Sequence, residues 1–355
     1  MKQLLSLVVL LFMCITPSFA QEWSFPQVDE VYDWAQDYGV SEEDELGSGM
    51  QSIVSAGLEQ MQTLVKRSVA SGMRMLAVVL LCGLAESMMP SGKREGLQVV
   101  ELAGALAVTM LTVSDMEVMI GLGRETIEKM DQFSNLLLPT IATLTAATGG
   151  VTGAAVRQGV TVLCSNLLMG AIDRILVPLV YVYVAACSGY AALGNEGLKK
   201  LAELIKGGVT VLLTVGLLGF VGYLTASGAI AGSVDAAAIK AAKITISRTI
   251  PVVGGILADA AETMLAGAGM LRGTVGVVGV LVVVSICFAP FLQLAIHYLT
   301  YKGTAALTGT VANSRISTLM EQIGSAFGLI LGMTGSCALI LLISLVSAVS
   351  AVIPT

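Results

Sequence analysis

The sequence predicts an all-α, polytopic membrane protein. It reads as a helical bundle of seven to eight crossings, with a candidate internal duplication that contains Pro- or Gly-broken, or re-entrant, helices. Three observations carry this expectation. Of 355 residues, 55% are hydrophobic and only 12% charged, with a mean hydropathy of +0.85, whereas a soluble domain averages about 25% charged residues. Apolar runs recur along the chain at the length of about 20 residues that a bilayer crossing needs. Glycine is abundant, at 39 residues, and small residues let membrane helices approach closely.

Residues 1–20 read as a signal peptide. Lys2 precedes the apolar stretch Leu4 to Ile15, which is too short to span, and Ser18-Phe19-Ala20 fits a small-x-small cleavage site. A retained signal-anchor is the alternative. Residues 21–50 form an acidic segment, with nine acids between Glu22 and Glu45 and no Lys or Arg from residue 21 to residue 65. Its lack of positive charge suits the extracytoplasmic side. It reads as a partly disordered tail or as a docking segment with aromatic anchors at Trp23, Trp34 and Tyr38. Residues 51–72 show helical apolar spacing at Ile53, Val54, Leu58, Met61, Leu64 and Val65, which predicts an amphipathic interfacial helix.

Residues 73–135 form a first membrane hairpin with a charged loop. Met75 to Met89 and Leu97 to Val113 flank the basic turn Ser91-Gly92-Lys93-Arg94, which is expected on the cytoplasmic side. Glu101 lies inside the second run; it either pairs with another helix or marks a pathway. Residues 114–135 are charged and read as an external helix or loop. Residues 136–232 and 233–355 are the two candidate repeats. Pro139 and Pro178 stand 39 apart, as do Pro251 and Pro290, at an offset of 112. Leu201-x-Glu203-x-Ile205 answers Leu319-x-Glu321-x-Ile323 at an offset of 118. These four prolines would be hinges, because broken helices at membrane depth occur where protein or water covers the freed backbone.

Charges inside apolar runs are the candidate pathway or helix-pairing groups. Asp173 and Arg174 split the long run from Gly159 to Leu193 and predict a kink or reversal at the membrane surface. Asp259 and Glu262 share a helical face; they line water, meet a cation, or mark an interfacial helix. His297, beside Tyr298, Tyr301 and Lys302, reads as part of an aromatic belt. Gly216, Gly219 and Gly222, and Gly273, Gly276 and Gly279, form ladders suited to helix packing or to self-association into a homo-oligomer.

Enzymatic chemistry finds no support. A single histidine excludes HExxH, no Walker motif occurs, and the six cysteines are scattered through apolar runs. No catalytic, cofactor or metal residues are expected, and energised transport would need a separate ATPase or an ion gradient. A pI near 4.9 argues against nucleic-acid binding.

Thr249-Ile-Pro-Val-Val-Gly-Gly-Ile-Leu-Ala-Asp-Ala260 and Ile286-Cys-Phe-Ala-Pro290 carry a resemblance. Over roughly residues 60–355 the chain resembles the stage III sporulation protein AE family of endospore-forming Firmicutes. The resemblance implies a multi-pass protein of the mother-cell membrane around the forespore. Its partners would be other stage III sporulation membrane proteins, in a channel or secretion-like complex that sustains forespore development and late forespore gene expression. The family has no assigned catalytic residues to carry over. The alternatives are a stand-alone ion-coupled secondary transporter, using Asp259, Glu262 or Glu101, and a non-conducting membrane scaffold.

Overall fold

A computed structural model describes residues 26–41, 46–88, 94–147, 152–226, 274–309 and 314–350. The described residues are helical throughout, without strands: α1 (Pro26–Asp37), α2 (Leu46–Ser87), α3 (Arg94–Ala147), α4 (Thr152–Ala171), a π-turn (Ile172–Leu176), α5 (Val177–Leu193), α6 (Glu196–Ala226), α7 (Thr274–Thr308) and α8 (Ser314–Ser350). Six stretches among them are long and apolar enough to cross a membrane. The expected signal peptide, Pro251, Asp259, Glu262 and Gly273 lie outside the described residues.

The acidic segment forms a docked helix over the residues described. Val31, Trp34, Ala35 and Tyr38 fall at helical spacing, with Val31 and Ala35 buried and Asp29, Glu30, Asp33 and Asp37 exposed on the opposite face. Trp34 lies 5.6 Å from the Phe133 ring, and Ser285 Oγ donates to the Tyr38 carbonyl at 3.2 Å. Gly39 ends the helix at φ +71, the left-handed geometry of a Schellman cap, with Val40 N–H bonded to Ala35 O at 2.8 Å.

The first hairpin differs from its expectation. Residues 51–72 are no separate interfacial helix but the middle of the 42-residue α2. Of the helix or loop expected over residues 114–135, the helix is what forms: α3 runs through them for 54 residues, a rise of about 80 Å. Asp115 and Arg124 find partners on neighbouring helices, while Glu125 pairs with Lys129 and Asp131 with Asn135 along α3 itself. The run containing Asp173 and Arg174 does not reverse either. A π-turn carries both residues, Val177 N–H bonds back to Ile172 O, and the helix continues to Leu193. The longer turn, placed just before Pro178, lets the chain pass a residue that cannot donate, without breaking the helix. Pro139 and Pro290 likewise sit inside continuous helices, α3 and α7.

Side-chain contacts fix the directions. Gly49, Gly57 and Gly72 of α2 meet Leu281, Phe288 and Thr300 of α7 in the same order, so these helices are parallel. Ser165 with Ser344, and Tyr183 with Gln322, set α4 and α5 antiparallel to α8. The helices therefore alternate, and the C-terminal ends of α2, α5 and α7 gather with the N-terminal ends of α3, α6 and α8 at one end, the turn end. Here Gly194, at φ +67, closes α5, and a Cβ at this position would lie 2.7 Å from the Arg315 guanidinium.

Helix α8 is the centre. It packs against α3, α4, α5, α6 and α7, and its apolar stretch is entirely buried. Beyond Glu321 it carries no charge, and Thr334 and Ser344 return their hydroxyls to Ile330 and Ile340 carbonyls one turn back, at 3.0 and 2.6 Å. Thr334 thereby needs no external partner, while Ser344 Oγ also meets Ser165 of α4.

Candidate functional site: polar groups among the membrane helices

Two polar groupings lie within the apolar bundle. The first is built around Asp115 of α3. Its Oδ2 accepts from Ser71 Oγ of α2 and from Tyr301 Oη of α7, the latter at 2.8 Å. Ser68 Oγ donates to Thr300 Oγ1 at 2.9 Å beside it. Close approach of α2 to α7 makes this box, because a Cβ on Gly72 would stand 2.8 Å from both Thr300 Cγ2 and Thr304 Oγ1.

The second grouping is a seam between α3 and the α4–π-turn–α5 helix. Arg124, Asp131 and Asn135 fall at i, i+7 and i+11, one face of α3. Arg124 Nε meets Asp173 Oδ1 at 3.3 Å. Asn166 Nδ2 donates to Asn135 Oδ1 at 2.6 Å, and Asn135 Nδ2 to Asp131 Oδ2 at 3.3 Å. The π-turn also places Arg174 within the electrostatic reach of Asp131. Two buried atoms here, Asn166 Oδ1 and Ser134 Oγ, have no hydrogen-bond partner among the described residues. Arg124, Asp173, Arg174, Val177, Pro178 and Tyr181 line a cleft of about 330 Å³ on the outside of the bundle. The Arg124 side chain is 60% exposed. Each charge facing hydrocarbon at mid-bilayer costs about 2.5 to 3.5 kcal/mol, so this face suits water or a polar partner.

The sequence-derived residues distribute as follows. Asp173, Arg174 and Pro178 come together in the seam. Glu101 lies in the second turn of α3, away from it in sequence. Gly216 packs on Leu168, where a Cβ would come within 3.1 Å, and Gly279 packs on Leu137 and Leu345; Gly219 and Gly222 face open space, and Gly276 lies in α7. The ladders therefore act at single rungs. His297 and Tyr301 do not form an exposed belt. Both are buried, with His297 Nδ1 3.0 Å from Gln293 O and Tyr301 edge-on to Phe327. Asp115 and Arg124 were hidden by reading 114–135 as external; the i, i+7, i+11 polar spacing was the available signal. No cluster of three or more His, Cys, Asp or Glu suited to a metal occurs among the described residues, and none of the described cysteines is in a disulfide.

The all-helical fold, with six stretches long and apolar enough to span, defines a multi-pass membrane bundle. The chain belongs to the stage III sporulation protein AE family, whose model matches residues 38–352. A Bacillus subtilis (strain 168) protein described as stage III sporulation protein AE is 26% identical over 227 residues, covering 62% of this chain and 55% of the relative. The chain thus spans about half the length of the curated relative it matches. No solved structure matches it.

Proposed function

We propose that this sporulation protein is a membrane subunit of a channel or secretion-like complex joining mother cell and forespore, required for forespore development and late forespore gene expression. The observation that carries the reading is the placement of the seam. The centre of the bundle is filled by α8, so a path through one subunit's middle has no room, while the charged cleft opens on the outside. A conduction path between subunits, or along a contact with another stage III sporulation membrane protein, would use that face.

The basic residues Lys199, Lys200, Lys206, Lys302 and Arg315 gather at the turn end of the bundle. Under the positive-inside rule this end is cytoplasmic and α1 is on the opposite side, after signal cleavage. The duplication belongs to the same proposal. Pro178 and Pro290 lie on helices of the same direction, and Glu203 and Glu321 are each the eighth residue of the following helix, α6 or α8. Repeats of this kind would be parallel rather than inverted.

The test is spore formation in a host carrying Arg124→Gln, Asp173→Asn or both in place of the natural chain. Loss of late forespore gene expression with normal protein levels supports a functional seam, and full sporulation by the double variant contradicts it. The Asp115 hydroxyl box favours a second reading, an ion-coupled transporter. Solute exchange against a proton gradient by the purified protein alone, lost in Asp115→Asn, would select that reading instead.

A further inference from the structure

Two lysines from different hairpins converge on one hydroxyl near the turn end of the bundle. Lys206 Nζ of α6 and Lys302 Nζ of α7 lie 3.2 and 3.1 Å from Ser325 Oγ of α8, which itself donates to the Glu321 carbonyl at 3.0 Å. Ser325 is buried. A single neutral oxygen thus accepts from two ammonium groups. The carboxylate beside them is Glu321, 3.4 Å from Lys302 Nζ, and its side chain is 66% exposed. Each ammonium has donors to spare, and two like charges at this spacing repel unless an anion joins them.

The face of α6 that carries Lys206 continues into an apolar cavity. Leu213 and Leu217 follow at i+7 and i+11, and both line a cavity of about 300 Å³ together with Leu168, Ile172, Ser336 and Ile340. Leu213 lies about 10 Å along the helix from Lys206. That volume is at the lower end of the roughly 300 to 1,000 Å³ typical of small-ligand sites. Its mouth is bordered by exposed Leu212 and Val215, which open it sideways.

We propose that this groove along α6, walled by α8 and by the α4–π-turn helix, binds an anionic phospholipid, with the phosphate on Lys206 and Lys302 and one acyl chain in the cavity below. Charge complementarity selects the head, because lysine is a phosphate binder that acts as a point charge. The apolar lining selects the chain. The order of the two along α6 matches a lipid that enters from the leaflet at the turn end. Lysine stems near helix ends reach toward that headgroup layer while their carbons stay packed. Binding there would tie the α5–α6 hairpin to the α7–α8 hairpin through a lipid.

Purified full-length protein, stripped of lipid in neutral detergent, is titrated with dioleoyl-phosphatidylglycerol, dioleoyl-phosphatidylcholine or inorganic phosphate, and binding is read by native mass spectrometry and thermal stability. The expected result is at least tenfold tighter binding of phosphatidylglycerol than of phosphatidylcholine, with no competition from inorganic phosphate at equal concentration. Lys206→Gln with Lys302→Gln removes that preference, Lys206→Arg with Lys302→Arg keeps it, and Leu213→Trp weakens phosphatidylglycerol about tenfold by filling the cavity. Should the double glutamine variant fail to accumulate, Lys302→Gln alone carries the same test. Equal affinity for the two lipids, or an undiminished preference in the glutamine variants, overturns the proposal. Inorganic phosphate that displaces the lipid, or Leu213→Trp that binds as the natural chain does, overturns the acyl-chain half and leaves a plain anion site.

Discussion

Helices α3 and α8 are neighbours of opposite character. Both are long, both pack against α4, α5 and α7, and both carry polar residues. In α8 beyond Glu321 these residues are hydroxyls and Gln322, the hydroxyls at Thr334 and Ser344 donate one turn back, and the apolar stretch is wholly buried. In α3 they are Asp115 and Arg124, whose partners lie on other helices, and Asp131, which accepts from Asn135 of α3 itself. The difference separates two uses of polarity in one bundle. Hydroxyls that close on their own helix let α8 serve as a core. Charges that require a partner fix where α3 sits and leave a face that hydrocarbon does not suit.

Substitutions can break this contrast at either helix. The largest effect is expected for Leu331→Asp. Leu331 is buried in α8, and an unpaired charge there costs about 3 kcal/mol or more, so the protein should vanish from the membrane fraction on immunoblots. Gly123→Val comes next. A Cβ at Gly123 would stand 2.3 Å from Ile330 Cγ2, and overpacking the α3–α8 contact should cost about 1 to 3 kcal/mol, visible as a lower melting temperature in detergent. Tyr301→Phe removes one of the two donors to Asp115 and should cost about 1 kcal/mol, measured the same way; an unchanged melting temperature would mean the hydroxyl bond adds nothing. Arg124→Gln is the smallest in stability, below about 1 kcal/mol, because the pair with Asp173 is largely exposed. Its expected loss is in sporulation. A large stability loss instead would make the seam a structural element of the single chain.

The class of the protein and most of its helices were legible because hydropathy and helical spacing are local signals. The failures fall where a long-range partner decides. Residues 114–135 look solvated until Ser71 and Tyr301 are brought to Asp115, 44 and 186 residues away in sequence. Asp173 and Arg174 look like a break until Arg124 pairs with Asp173 and a π-turn carries the helix on to Pro178. The acidic segment around Trp34 left docking and disorder open because its apolar stripe is one helix long, and only Phe133 and Ser285 settle where it goes. The glycine ladders were visible, but their spacing does not say which rung meets a neighbour.

The central claim is that the seam beside Asp173 faces water or a polar subunit contact rather than lipid. It is tested by cysteine labelling in sealed membranes. In a chain whose natural cysteines are replaced by serine, Tyr181→Cys in the cleft is compared with Leu218→Cys on the exposed face of α6, using a hydrophilic maleimide applied from either side. Labelling of position 181 at a rate close to that of a turn residue, with position 218 unreactive, is the predicted result. Equal protection of both positions in the isolated protein and in the assembled complex would place the seam in lipid and contradict the account.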